Sequence, residues 1–277
     1  MKLFILLIIT TALSAACSSP HRTIKAEAAT LDTITNINVL KSKGKAIYKN
    51  KKGETYIMRY EPDPQDSTQG IETIAPAPKG GASNNLPEVA ETNKRCDSEI
   101  FDGSYREGAK TSLSPAALEN FRTLRAFVNT LPGKDLMADS ITGTNSSRIA
   151  SEERNVRIKK AYLYAYSRQT DEDFHVIIGT SKKATASTRY FNVEVSGPPP
   201  ADDTSFLVLK AARDSFLTKA AQNLCSSGYF FYENPLQVEV SGSIFFDKQH
   251  NGGVIGPASA RPPDAWEIHP VSSFIYK

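Results

Sequence analysis

The second half of this sequence predicts a mainly β fold, on three observations. Apolar residues recur with a period of two across residues 156–166, 174–179, 190–195 and 236–246, the signature of half-buried strands. A helical stripe over residues 206–222 falls between the third and fourth of these runs. Aromatic side chains gather in the same region (Tyr162, Tyr164, Tyr166, Phe230, Phe231, Phe245 and Phe246), so the core is expected there.

The elements follow in order. Residues 1–16 read as a leader: Lys2 supplies a positive start, 3–13 is an apolar run too short to cross a bilayer, and Ser14, Ala15 and Ala16 are small. With Cys17 next, this resembles a bacterial lipoprotein signal, which implies lipidation at Cys17 and a membrane anchor. Such signals carry Leu three places before the cysteine, and here Ser14 holds that place while Leu13 lies one further back. Secretion after cleavage at Ala16 is the alternative, and both readings place the chain outside the cytoplasm, in the bacterial cell envelope or released. In an oxidising compartment Cys96 and Cys225, which lack metal-type spacing, are expected to form a disulfide, with two separate buried thiols as the other option.

Residues 17–95 read as a tether. Within it 44–59 predicts a hairpin turning at Asn50 to Gly53, and 61–95, rich in Pro and Gly and poor in apolar residues, predicts a disordered linker. The globular domain is expected over 96–277. It opens with a helix at 114–131, with Ser114 as its cap, Pro115 in its first turn, and Leu118, Phe121, Leu124, Val128 and Leu131 in one stripe. A long strand at 156–166 carries a phase break at Lys159 and Lys160, which predicts a bulge. Strands at 174–179 and 190–195, the helix at 206–222, a strand at 236–246 bending at Gly242, and a last strand from residue 265 complete the domain. Three strands, a helix and two strands is the order of an OB-fold, a small partly open five-stranded barrel. The domain resembles one over roughly 152–277, with the helix at 114–131 as an addition; a small β-sandwich is the alternative.

Apart from His21, every histidine lies beside a carboxylate in one of three runs: Asp171, Asp173 and His175; Asp247 and His250; Glu267 and His269. In the resembled barrel these runs meet at one mouth. Asp171, Asp173 and His175, spaced by two, would share a side if extended, as would Glu267 and His269, with Trp266 and Ile268 turned into the core. Imidazoles mixed with carboxylates suit one divalent ion such as Zn²⁺, Mn²⁺ or Fe²⁺, and suit Ca²⁺ less well. The other reading is a structural hydrogen-bond network in a cell-envelope protein. The runs also resemble those of an uncharacterised group of exported bacterial proteins with Asp-x-Asp-x-His, Asp-x-x-His and Glu-Ile/Leu-His-Pro, a resemblance that marks a site and names no reaction.

A different class of function stands beside the metal. Tyr162, Tyr164 and Tyr166 alternate on one strand face near Lys160, Lys182, Lys183 and Arg189, which would suit stacking of single-stranded nucleic acid or a glycan. Packing of the tyrosines beneath a helix is the alternative. A net charge of +3 neither demands nor forbids such a partner. The chain has no Gly-x-Ser-x-Gly elbow, phosphate loop or dinucleotide fingerprint, so serine hydrolase, nucleotidase and dehydrogenase readings lack support.

Overall fold

The computed structural model describes residues 45–50, 52–62, 100–101, 103, 105–141, 147–169, 171–220, 228–250 and 256–277. The leader, Cys17, Cys96, Cys225 and nearly all of the expected linker lie outside these residues.

Two residue features start the fold: Asn50 and Gly53. The Asn50 side chain accepts the amides of Lys52 and Glu54, and Gly53 adopts φ 82, a left-handed value glycine takes without strain. The chain therefore reverses between β1 (Lys45–Lys49) and β2 (Thr55–Pro62), which pair antiparallel. The hairpin docks by adding β2 to the edge of β7 (Gly228–Phe246).

The expected helix at 114–131 is not one helix. The Ser114 side chain accepts from Ala116 N and bonds to Glu153, which holds the chain in a turn. Leu118–Phe121 then extends as β3, parallel to β4 (Asn155–Arg168). The helix cap is Thr123, whose side chain accepts from Ala126 N and opens a short helix, Leu124–Val128. Two further short helices flank it in sequence, Glu107–Thr111 (α1) and Lys134–Ser140.

The remaining elements follow the predicted order: β4, β5 (Phe174–Gly179), β6 (Tyr190–Val195), a helix (Phe206–Leu217), β7 and β8 (Trp266–Tyr276). The helix stops at Leu217, short of the predicted 222, where Thr218 bonds back to Ser215 O. Conversely β7 begins well before residue 236. Against β4 its register jumps from Leu163↔Leu236 to Ala165↔Phe231, so residues 232–235, Pro235 among them, bulge away from β4. Pro235 cannot donate to a ladder, and its place beside that bulge is where a strand tolerates it. A second shift lies between Ile158 and Ala161, at the predicted Lys159–Lys160 break.

Eight strands make one mixed sheet in the order β1-β2-β7-β8-β6-β5-β4-β3, and β7 also pairs with β4. Strands β4, β5, β6, β8 and β7 thus form a partial ring. Its narrowest join is β6 with β8, parallel, through Asn192↔Glu267 and Val193↔Ile268. Inside the ring lie Val176, Ile178, Val193, Phe216, Ile244, Phe246, Trp266 and Ile268, all buried. Within the core the Tyr166 ring packs edge-on against Phe216 at 5.6 Å. The fold is mainly β, as predicted.

Gly242 marks a bend in β7, where register with β8 shifts on either side of it. A β-carbon there would lie 2.3 Å from the Pro270 carbonyl oxygen, a backbone atom that cannot move aside alone. Gly242→Ala should therefore destabilise the domain by about 1–3 kcal/mol, read as a lower midpoint in urea; a midpoint equal to wild type would show that the bend does not need glycine.

Candidate metal centre

Strand alternation places the site. On β6, Val193 and Val195 enter the core, so Asn192 and Glu194 emerge on the opposite, outer face. On β8, Trp266 and Ile268 enter the core, and Glu267 and His269 emerge on that same outer face. His175 is the antiparallel partner of Glu194 on β5 and joins them. The three histidine runs do meet, but on the outside of the sheet instead of at the barrel mouth predicted from topology.

This outer face is covered. Segment 105–111 lies over it: the Arg106 guanidinium stacks 4.7 Å from the Phe245 ring, and Lys110 is 7 % exposed. The cover is fastened by Arg106, which binds both oxygens of Glu152 at 2.7 and 2.6 Å with neither side chain exposed. Arg148 adds a tie by donating to the Ala109 and His269 carbonyls. Asp173, Glu194, Glu267 and His269 are consequently sealed, at 0–1 % exposure.

Glu194 is the hub, and it was absent from the residues predicted from sequence. Its Oε1 lies 2.9 Å from His175 Nε2 and accepts from Asn192 Nδ2 at 2.9 Å; its Oε2 lies 2.8 Å from His269 Nδ1. On the far side of the His269 ring, Nε2 lies 3.1 Å from Asp173 Oδ2. Asn192 Nδ2 also donates to Glu267 Oε1 at 3.0 Å, and Glu267 Oε2 lies 3.5 Å from His269 Nδ1. A second group adjoins the first: Asp247 Oδ2 lies 3.0 Å from His250 Nδ1, and the His250 and His175 rings are 6.4 Å apart.

Of the seven predicted ligands, Asp173, Glu267 and His269 lie in the sealed cluster and His175 touches it through Glu194. Asp247 and His250 form the neighbouring group. Asp171 stands apart in role. It lies in the turn before β5, where Glu172 takes φ 72, and its Oδ1 accepts from Asp173 N at 3.4 Å. The three residues are therefore not one extended run. Arg213 locks this turn by donating to the Glu172 and Val195 carbonyls.

The distances suit a bound cation. Ligand atoms about 2.0–2.2 Å from a tetrahedral ion sit roughly 3.3–3.6 Å from one another; His269 Nδ1 lies 2.8 Å from Glu194 Oε2 and 3.5 Å from Glu267 Oε2, close to that spacing, with Asp173 on the Nε2 side of the ring. Within each of two groups, Asp173/Glu194/His269 and Asp247/His250/Glu267, one donor atom per residue lies within 4.8 Å of the others. More telling, Asp173 Oδ2, Glu194 Oε2, Glu267 Oε2 and both His269 nitrogens are buried and make no hydrogen bond. They stand instead at ion-pair distance, His269 Nδ1 2.8 Å from Glu194 Oε2 and Nε2 3.1 Å from Asp173 Oδ2.

The electrostatics follow from the carboxylates. Burial disfavours charge on Glu194, but the charges of His175 and His269 outweigh it and hold Glu194 well below the usual carboxylate range. The same pairing overcomes the burial of His175 and raises it to about 9, and it raises His269 as well. Burial pushes Asp171 up to about 6, helped by the charge of Asp173, and Glu267 is raised by burial and by Glu194. Burial opposes charge on Lys110, yet Glu194 and Asp247 keep it firmly protonated.

The tyrosine row does not survive as one face. The shift between Leu163 and Ala165 reverses the alternation, so Tyr166 points into the core while Tyr164 remains outside. Tyr164 packs edge-on against Tyr190 at 5.1 Å beside a cavity of about 740 Å³, which Lys182, Lys183 and Phe231 also line. Tyr162 stays half-exposed on β4.

Without metal the network makes stability depend on pH. Histidines raised above 6.5 contribute stability that is complete below that pH and lost as pH climbs through about 9 for His175. The raised carboxyls act in the same direction, and the depressed Glu194 removes stability only in acid. In chelator, the melting temperature should fall between pH 6.5 and 9, and His175→Gln should flatten that fall; a flat wild-type profile would contradict the network. No family model, curated protein or solved structure matches this chain, so its function has to be argued from the geometry of the site.

Proposed function

We propose that the protein is an exported, lipid-anchored domain of OB-like form that binds a divalent metal at the group Asp173, Glu194 and His269. The OB-like form is supported by the order β4-β5-β6-β8-β7 with β7 returning to β4, the parallel β6–β8 join, and the helix between β6 and β7. Export and anchoring at Cys17 rest on the leader alone.

One observation carries the metal: sealed carboxylate oxygens and imidazole nitrogens of three residue types converge on His269 at ion-pair distance, without the geometry of hydrogen bonds. Buried polar atoms without hydrogen bonds are rare because each forfeits its hydration for little return. A cation on one His269 nitrogen would engage the carboxylates beside it, and the other nitrogen would keep its carboxylate partner. The donor chemistry fits Zn²⁺, Mn²⁺ or Fe²⁺, since carboxylates and one imidazole form a borderline-hard set. Such an ion supplies Lewis acidity or, where sealed, cohesion. The protein's part is to hold the donors: Asn192 fixes Glu194 and Glu267 together, and Gly197 N donates to Asp173 Oδ1 at 2.9 Å.

The purified protein should carry near-stoichiometric metal by elemental analysis, and His269→Asn and Glu194→Gln should lose it while keeping their far-ultraviolet circular dichroism. An ion present at about 100 times its Kd contributes about 2.7 kcal/mol, so chelation should lower the melting temperature by roughly 5–10 °C. Metal-free protein with a melting temperature unchanged by chelator would reject this reading.

A second reading is favoured by the Tyr164–Tyr190 cavity: binding of single-stranded nucleic acid or a glycan by stacking. The Arg59 guanidinium lies 3.8 Å over Phe231 at its wall, and the two lysines give it positive charge. Oligothymidylate or oligosaccharide binding should then weaken by about 1–3 kcal/mol in Tyr164→Ala. Absence of binding to either polymer in a low-salt titration would dismiss it.

A further inference from the structure

We infer that the centre holds two divalent ions, the second bound by Asp247, His250 and Glu267 beside the first. This rests on the metal reading above and extends it to a group with a different relation to solvent. Asp247 ends β7, and the following 3₁₀ turn, Lys248–His250, folds the imidazole back so that Nδ1 lies 3.0 Å from Asp247 Oδ2. The turn is held by His250 N bonding to Asp247 O at 3.0 Å and by Gln249 N bonding to Asp247 Oδ1 at 2.9 Å. Glu267 completes the set: it is fully buried, one of its carboxylate oxygens lies within 4.8 Å of a donor atom on Asp247 and of one on His250, and its Oε2 makes no hydrogen bond.

Glu267 also couples the two positions. Its Oε1 is tied through Asn192 to Glu194, and its Oε2 lies 3.5 Å from His269 Nδ1, both ligands of the first ion. A carboxylate set between two ligand groups is the arrangement by which paired metal sites share charge. Five carboxylates, Asp171, Asp173, Glu194, Asp247 and Glu267, gather here, and Lys110 is the cation that Asp171, Asp173, Glu194 and Asp247 act on.

The two positions differ in access. Every ligand of the first ion is at most 1 % exposed, whereas the His250 side chain is 28 % exposed. The sealed ion therefore behaves as a fixed part of the structure, and the outer one as an exchangeable ion able to meet a ligand from solution. A three-residue set open on one side is the pattern of sites that accept an outside ligand.

Zn²⁺ bound to the full chain after chelation, reloading and desalting should number two equivalents per chain. His250→Ala should retain one, and the milder Asp247→Asn should do the same if the alanine variant misfolds. Mn²⁺ loading should give an electron paramagnetic resonance spectrum broadened by ion–ion coupling in wild type and a simple isolated-ion spectrum in His250→Ala. One equivalent in wild type, unaffected by His250→Ala, would overturn the second ion and leave the first standing. Two equivalents that both persist in His250→Ala and Asp247→Asn would overturn this assignment of ligands. No bound Zn²⁺ would overturn both sites together.

Discussion

The two residue pairs that join β6 to β8, Asn192↔Glu267 and Val193↔Ile268, are the constraint on which the rest depends. They do two things at once because strand side chains alternate. On the inner face Val193 meets Ile268 and closes the core. On the outer face the same register brings Asn192 and Glu194 beside Glu267 and His269. Slipping this join by one residue would exchange the faces, burying carboxylates in the core and exposing valine and isoleucine. Core packing thus enforces the geometry of the polar site without touching it.

The site then inherits a charge problem. Carboxylates brought from β5, β6, β7 and β8 lie beneath the 105–111 cover, where desolvation penalises every unpaired charge. Lys110 and protonated histidines meet part of that demand, which is why His175 and His269 hold their protons so firmly. Protons and metal compete for the same lone pairs. The metal-free network therefore weakens as pH rises, while metal affinity must strengthen, because ligands bind only when deprotonated. A structural hydrogen-bond network would show the first behaviour and not the second.

Much of the architecture was legible from residue pattern. The period-two runs located β5 and β6 at their observed limits, and the Lys159–Lys160 break located a real register shift. The helix expected at 114–131 was misread because Leu118, Phe121 and Leu124 satisfy a helical period, whereas in the strand that forms, Leu118 is exposed and Phe121 packs on the core. Tertiary pairing with β4 decides between them, and no local pattern contains that pairing. The histidine runs were readable because each couples an imidazole to a nearby carboxylate. Glu194 was missed because a polar residue alternating with valine ordinarily means a solvent-facing strand side. Here Asn192 and Glu194 were the available sign: two polar residues of the same parity, on a strand whose neighbours later prove to be covered. The cover itself comes from residues 105–111, far away in sequence, and Arg106 gives no hint of it before its partner Glu152 is known.

Covering the outer face does not by itself require charge. Next to the site lies a mostly apolar patch, Ala165, Ile177, Tyr229, Phe231 and Ala260. The sheet could be covered that way throughout, and replacing buried ionic groups by well-packed apolar ones is often neutral or stabilising by about 1–4 kcal/mol. The carboxylates and histidines are therefore not the simplest way to cover the sheet. They sit where β-strand register is fixed most tightly by the core, and that is the place where donor atoms can be held to the tolerances a metal needs. Stability accounts for the apolar patch. The polar one places its donor atoms where a metal could be held.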